Sequence, residues 1–332
     1  MNHAATTIRN GATVQKVAIF GLKFAITAAC FWYVFHQINL EELLRTAGNL
    51  DYRWIVFAAV IMVLQIPLAG LRWCKVTDAL QPDGRPIAVG PMIAISAISI
   101  FLGQLIPNLM SDAIRVWLLA RIGRSWRQGL VGVLIDRSIG VGTLVMVGFV
   151  TLLFTSALTE LGGYRLLALL LFAAVLAAAA AGLLFAPLYV PMLMRFKMTN
   201  WMGQLIAASR RVLIESPYAL SILGLALAIH ILTIICIWSL GHAFAMTLPL
   251  VDASVLFTIM VAIAVLPISI GGWGLRELAL TSFLDTQGLP AQQAFLFSVT
   301  FGLVLIAAAA PGAFVLMFFS PSKAKDDPAS LS

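Results

Sequence analysis

Long apolar runs alternate with short polar segments along almost the whole chain. The first run, residues 17–36, closes on Phe31, Trp32, Tyr33 and Phe35, an aromatic set suited to a membrane–water interface. Further runs cover 54–71, 131–156, 166–187, 219–240 and 291–318, against the roughly 20 apolar residues needed to cross hydrocarbon. Two others are interrupted. Residues 87–120 break at Pro107 and resume as a short helix over 111–120, about 15 Å long and too short to cross alone. Residues 253–285 break at Pro267 and again at Gly271-Gly272, just before Arg276-Glu277. Breakers at membrane depth free backbone groups that lipid cannot satisfy, so both segments are expected to line protein or a wet cavity. They share a plan: apolar helix, proline, loosened turn, then a short helix bearing an arginine. Such a pair in corresponding positions points to a transport site between two repeats.

The pattern predicts an all-α polytopic membrane protein of about six full spans plus two re-entrant helical hairpins, or about eight spans. Residues 17–318 are expected to form one transmembrane domain, with hairpins at 87–120 and 253–285. Residues 1–16 and 319–332 are expected to be cytoplasmic tails.

Charge supplies an orientation. Of the 21 Lys and Arg, fifteen thread to one side, at positions 9, 16, 23, 72, 75, 85, 121, 124, 127, 195, 197, 210, 211, 323 and 325. Arg45, Arg53 and Arg165 fall on the other side, while Arg115, Arg137 and Arg276 are embedded. This is the positive-inside distribution of an inner-membrane protein with both termini in the cytoplasm. Folding 87–120 back on itself keeps Arg121, Arg124 and Arg127 inside. The first hairpin then opens to the cytoplasm and the second to the far side, an inverted-repeat-like arrangement. On the same reading the second span ends at Arg72-Trp73, and a basic loop follows. Trp73, Trp117 and Trp201 serve as interfacial anchors, and residues 201–215 lie along the membrane surface. A charged fraction of 11%, against roughly 25% in soluble domains, excludes a soluble enzyme. The net charge of +7, distributed as it is, argues against a nucleic-acid partner.

The embedded charges carry the chemistry. They are Asp112, Arg115, Asp136, Arg137, Arg276 and Glu277, and each costs at least ~2.5–3.5 kcal/mol on insertion scales unless paired or hydrated. Asp112 and Arg115 are three apart and able to pair on one helix face. Asp136 and Arg137 are adjacent and point apart, so each needs a partner elsewhere, such as Arg115 or Arg276 for Asp136. Two readings stand: a buried network that staples the hairpins to the bundle, or arginines that bind an anionic head group. On the second reading Gly271, Gly272 and Trp273 belong to the substrate site, the glycines letting backbone N–H groups approach an anion. Pro107, Pro267 and Gly274 would act as hinges. His230, alone in mid-span, reads as a hydrogen-bonded bundle histidine. Cys30, Cys74 and Cys236 are scattered, with no CxxC or Cys/His cluster, so neither a metal nor a disulfide is expected. No Ser/His/Asp set, HExxH or Walker-type loop occurs, so no catalytic residue and no cofactor is expected.

At these motifs the chain resembles the transmembrane region of lysylphosphatidylglycerol synthases, which defines a wider family of flippase-like membrane proteins. The resembling features are Leu71-Arg72-Trp73, Leu105-Ile-Pro107, Ser111-Asp112-Ala-Ile-Arg115, Asp136-Arg137 and Leu266 to Glu277. Where the family usually has a glycine pair ahead of the first aspartate, Asn108 to Ser111 stand here. The soluble aminoacyltransferase domain of synthase members is missing from this sequence, so the resemblance does not imply lysyl transfer. It implies translocation of a lipid between leaflets. Membrane lipid is then the expected partner, with a second copy of the chain or a lipid-biosynthesis enzyme as further candidates. The rival is a non-transporting scaffold in a lipid or hopanoid pathway.

Overall fold

The computed structural model describes residue 32 and residues 40–81, 86–106, 108–155, 163–265, 274–286 and 290–318; these are helical with short connections and contain no strand. Helices α1 (Leu40–Gly48), α2 (Tyr52–Val63), α3 (Gln65–Leu80), α4 (Val89–Leu105), α5 (Asn108–Arg121), α6 (Trp126–Phe154) and α7 (Gly163–Leu184) come first. There follow α8 (Ala186–Arg195), α9 (Asn200–Arg210) with a π-helical turn over Arg211–Glu215, α10 (Ala219–Ala243), α11 (Leu250–Val265), α12 (Leu275–Thr286) and α13 (Ala291–Phe318).

Among the described residues five stretches are long and apolar enough to cross a bilayer: Tyr52–Leu80, Trp126–Phe154, Arg165–Leu184, Ala219–Ala243 and Gln292–Phe318. They correspond to five of the expected full spans; the sixth, 17–36, lies outside the described residues, as do both tails. The interrupted segments are the shorter helices α4–α5 and α11–α12. Pro107, Pro267, Gly271, Gly272 and Trp273 fall outside the described residues.

The second span departs from expectation. It does not end at Arg72-Trp73 but runs on to Leu80. Its one irregularity comes earlier, at Leu64, where α2 gives way to α3. Pro67 has no N–H to return to Val63, which explains a break there. Beyond it nothing stops the helix, and Trp73, Val76 and Leu80 keep the spacing of an apolar helix face. Trp73 is therefore no interfacial anchor: it is fully buried. Trp117 and Trp201 are exposed.

The chain divides into two compact units, residues 51–258 with 303–332, and residues 1–50 with 259–302. In the larger unit Trp73, Met92, Ile95, Ile98, Leu119 and Val133 pack α3, α4, α5 and α6 together. Val76, Ile135, Val212 and Ile222 join α3 and α6 to the π-helical turn and α10. Two contacts are backbone-close. A Cβ on Gly70 would stand 2.6 Å from the Ile93 Cα, and one on Gly312 would stand 2.1 Å from the Ala97 carbonyl oxygen. Small residues at such crossings replace the hydrophobic driving force that lipid does not provide. Helix α7 carries Leu166, Leu167, Leu170, Leu171 and Val175 exposed, as a lipid-facing helix does.

Polar contacts identify the two ends of this unit. At one end the Ile87 N–H donates to Asp78 Oδ1 (3.2 Å) and Arg124 Nη1 donates to Gln81 Oε1 (2.8 Å). Pro86, Ile87, Ala88 and Pro91 also line one groove with Ile122, Gly123 and Arg124. The start of α4 and the end of α5 thus lie together, beside the end of α3, so α4–α5 is an antiparallel hairpin. Arg127 Nη2 donates to Gln204 Oε1, and Arg210 donates to the carbonyls of Leu183 and Leu184, bringing α9 and the end of α7 to the same place. At the other end the Asp51 N–H donates to the Ala243 carbonyl, Thr155 Oγ1 donates to Asp252, and Arg165 donates to the carbonyls of Leu152 and Leu153. Lys75, Arg121, Arg124, Arg127, Arg210 and Arg211 gather at the first end; Arg53 and Arg165 are at the second.

In the smaller unit Leu280, Leu284, Ala294, Phe295, Phe297 and Phe301 are buried, and Ser298 of α13 hydrogen-bonds to Glu277 of α12.

Candidate functional site

The embedded charges resolve into three arrangements. In the larger unit Asp136 stands on α6 between two arginines. Its Oδ1 accepts from Arg72 Nε at 2.8 Å and its Oδ2 from Arg115 Nη1 at 3.0 Å. The three side chains are 12%, 8% and 4% exposed for Arg72, Arg115 and Asp136. The Arg115 guanidinium also lies over the Trp73 ring, 3.9 Å from its centroid. Desolvated charges are tolerated only with good geometry and further hydrogen bonds. Here both carboxylate oxygens are engaged, while Arg115 Nε and Trp73 Nε1 are buried with no acceptor.

Beside this triad the next residue of α6, Arg137, grips Asp112 of α5 with two hydrogen bonds, Nε to Oδ2 (3.1 Å) and Nη2 to Oδ1 (2.8 Å). The Arg137 side chain is 54% exposed and that of Asp112 14%. The expected Asp112–Arg115 pairing within one helix does not form. The two residues instead reach separate partners on α6, because adjacent Asp136 and Arg137 present opposite charges to both of them. The expectation that Asp136 and Arg137 find separate partners holds, with Arg115 as one partner of Asp136.

The third arrangement belongs to the smaller unit. Gly274 has φ 81°, a left-handed conformation that glycine adopts without strain. Its N–H donates to Glu277 Oε2 at 2.6 Å, the reach-back of a third-position glutamate to the residue before its helix. Glu277 Oε1 accepts from Arg276 Nη2 (2.6 Å) and Nε (3.1 Å) and from Ser298 Oγ (3.0 Å). Arg276 and Glu277 are both buried, 3% and 0% exposed, with the Phe301 ring beneath the guanidinium. Adjacent residues pair here because Glu277 turns back toward its own cap. The Gly274 position is thus a helix cap whose N–H is already committed. The other named members of that motif, Pro267, Gly271, Gly272 and Trp273, lie outside the described residues.

His230 takes the expected bundle role: its Nε2 lies 2.9 Å from Thr143 Oγ1 and 3.1 Å from the Gly140 carbonyl. Cys74 and Cys236 are buried thiols. Among the described residues no group of His, Cys, Asp and Glu could hold a metal.

Sequence reasoning missed three participants: Arg72, Trp73 and Ser298. Arg72 was counted with a cytoplasmic loop, yet its helix contains no breaker between Pro67 and Leu80, and that continuity was the available signal. Ser298 carries no such mark.

The family model for the lysylphosphatidylglycerol synthase transmembrane region matches residues 20–312. The chain belongs to this family. The match takes in both interrupted hairpins and all three charged arrangements, and it covers the resembling motifs Leu71 to Trp73, Leu105 to Pro107, Ser111 to Arg115, Asp136-Arg137 and Leu266 to Glu277. Together with the long apolar helices it makes the protein a multi-pass membrane protein of a lipid-related, flippase-like family. No curated protein and no solved structure matches the chain significantly.

Proposed function

We propose that this protein is a lipid translocase of the inner membrane, moving an amphiphile with a polar or anionic head group between leaflets. The observation that carries the reading is the set of charges held inside apolar helices, with Arg137 half exposed beside the buried triad. A head group crossing hydrocarbon loses its hydration, a cost of at least ~2.5–3.5 kcal/mol per charge on insertion scales. Fixed guanidinium and carboxylate groups along the way offset that cost while the acyl tails stay in lipid. Asp112, Arg115, Asp136 and Arg137 are the residues we assign to the head group from the first hairpin and α6. Gly271, Gly272, Trp273, Arg276 and Glu277 are those of the second, with Pro107, Pro267 and Gly274 as hinges. The protein acts without a catalytic step of its own, and both termini lie in the cytoplasm.

A second reading has one observation in its favour. Glu277 accepts from Gly274, Arg276 and Ser298, so both its carboxylate oxygens are engaged within the protein, as expected of a scaffold that serves a lipid or hopanoid pathway without transporting.

A leaflet-exposure assay in proteoliposomes separates the two. Fluorescent lipids of differing head group are followed with wild type and with Arg137→Gln, which removes the most exposed of these charges and keeps an amide that can still donate to Asp112. Head-group-selective flipping that falls in the variant, with unchanged thermal unfolding, is the expected result. Absence of protein-dependent flipping for every head group would overturn the translocase in favour of the scaffold.

A further inference from the structure

The charged arrangements differ in balance. Arg276 and Glu277 neutralise each other, and so do Arg137 and Asp112. The triad does not: Arg72 and Arg115 share the single carboxylate of Asp136, which leaves one net positive charge among side chains at most 12% exposed. A buried uncompensated charge is costly, and the usual remedy is a counter-charge with hydrogen bonds to match.

The unused donors indicate what that counter-charge looks like. Arg115 Nε is buried without an acceptor, and so is Trp73 Nε1, on residues 7% and 0% exposed. The two groups are stacked, guanidinium over indole. The two nitrogens therefore stand at different heights, one in the indole ring and one on the group above it. A planar carboxylate meets one of them edge-on, whereas the non-bridging oxygens of a tetrahedral phosphate can reach both. A single net positive charge matches a phosphodiester monoanion. Gly132, one turn before Asp136 on α6, is the backbone against the indole N–H. A Cβ there would stand 3.7 Å from Trp73 Nε1, with Leu80 and Thr77 as its other neighbours at 3.6 and 3.9 Å.

Building on the translocase reading, we infer that Arg72, Arg115 and Trp73, balanced by Asp136, form a binding site for a phosphate monoanion, supplied by the phosphodiester of an anionic phospholipid. This narrows the head group from polar to anionic and adds Arg72, Trp73 and Gly132 to the site. It also distinguishes the two hairpins: the uncompensated charge is on the first, whereas on the second Arg276 and Glu277 pair with each other. The Arg137–Asp112 pair, next to the triad in sequence on both α5 and α6, is the exposed step leading to it.

The test is lipid retention by the full-length protein in detergent, read by native mass spectrometry. The probes are dioleoylphosphatidylglycerol, dioleoylglycerol, oleate and inorganic phosphate. Wild type is expected to retain phosphatidylglycerol in preference to dioleoylglycerol and oleate. Arg115→Gln and Arg72→Gln each leave Asp136 one arginine and a neutral pair. Each is expected to weaken phosphatidylglycerol retention about tenfold, the scale of one charge-assisted hydrogen bond. Gly132→Ala meets ordinary packing distances, so it is expected to leave thermal unfolding unchanged and still weaken retention, which a purely structural triad would not do. Asp136→Asn doubles the net positive charge and is expected to bind phosphatidylglycerol at least as well as wild type. Equal retention of dioleoylglycerol and phosphatidylglycerol by wild type would overturn the inference. So would loss in Asp136→Asn equal to that in Arg115→Gln, or, should Asp136→Asn not fold, unchanged retention in both arginine variants. Inorganic phosphate held by wild type and lost in Arg115→Gln, with no lipid preference, would keep the phosphate site but overturn its lipid source. Phosphatidylglycerol that is retained but not flipped sinks the translocase alone; flipping indifferent to head-group charge sinks this inference alone.

Discussion

At the scale of residues, burial decides what each ion pair contributes. Glu277 is fully buried and accepts from Gly274, Arg276 and Ser298. Glu277→Ala removes the carboxylate to which Arg276 Nη2 and Nε donate, and breaking a buried ion pair from one side typically costs about 3–5 kcal/mol. Asp112 faces an arginine whose side chain is 54% exposed; on the translocase reading that face is wet, so the pair is screened and Asp112→Asn is expected to cost under about 1 kcal/mol. Thermal unfolding in detergent should therefore show a large drop in midpoint for Glu277→Ala and almost none for Asp112→Asn. Equal losses would mean that Arg137 is as desolvated as Arg276. The same scale shows what was legible beforehand. That six charges lay among apolar helices was plain from the sequence, and so was the need of Asp136 and Arg137 for separate partners. Their actual partners were not. The pairing of Asp112 and Arg115 with α6 depends on how α5 docks against α6, and no local spacing encodes that.

Helices were more legible than contacts between them. Runs of apolar residues located the five long spans, because spanning length is a property of sequence alone. The end of the second span was misplaced for a related reason. Arg72 and Lys75 look like loop residues until their partners, Asp136 and the Tyr218 ring, are in view. Helix crossings were the least legible, since one glycine among 25 looks like any other. Gly312 is a case in point: on α13 it meets the Ala97 backbone of α4 so closely that a methyl group would stand 2.1 Å from a carbonyl oxygen. Neither backbone can yield as a flexible side chain would, so Gly312→Ala must push the helices apart, an overpacking cost of about 1–3 kcal/mol or more. Gly224 has nothing within 4 Å of its would-be Cβ, and Gly224→Ala serves as the control. A lowered unfolding midpoint for the first and none for the second is the expected outcome. Similar midpoints would show that α13 and α4 do not cross as closely as described.

Across the larger unit, geometry and charge agree in a way that neither required of the other. Hydrogen bonds alone bring Asp78 to Ile87, Gln81 to Arg124 and Arg127 to Gln204, and so define one end. That end proves to be the basic one. The positive-inside tendency then predicts a cytoplasmic position for it, and because α4–α5 returns to its own starting end, the hairpin is expected not to carry the chain across. Cysteine labelling tests both statements together. In a Cys30→Ser background the remaining native thiols, Cys74 and Cys236, are buried and unreactive. Pro86→Cys and Ser125→Cys flank the hairpin, and Leu250→Cys marks the opposite end; all three positions are exposed. A membrane-impermeant maleimide applied from the periplasmic side should label only Leu250→Cys, and the other two only once the inner membrane is opened. Labelling of Pro86→Cys and Ser125→Cys from opposite sides would require α4 and α5 to cross the bilayer between them. The chain after α5 would then reverse its orientation, placing Arg210 and Arg211 outside against the charge rule. Labelling of both from the periplasm would keep the hairpin but invert the protein. The phosphate site would then still lie on the first hairpin, and the leaflet from which it is reached would change.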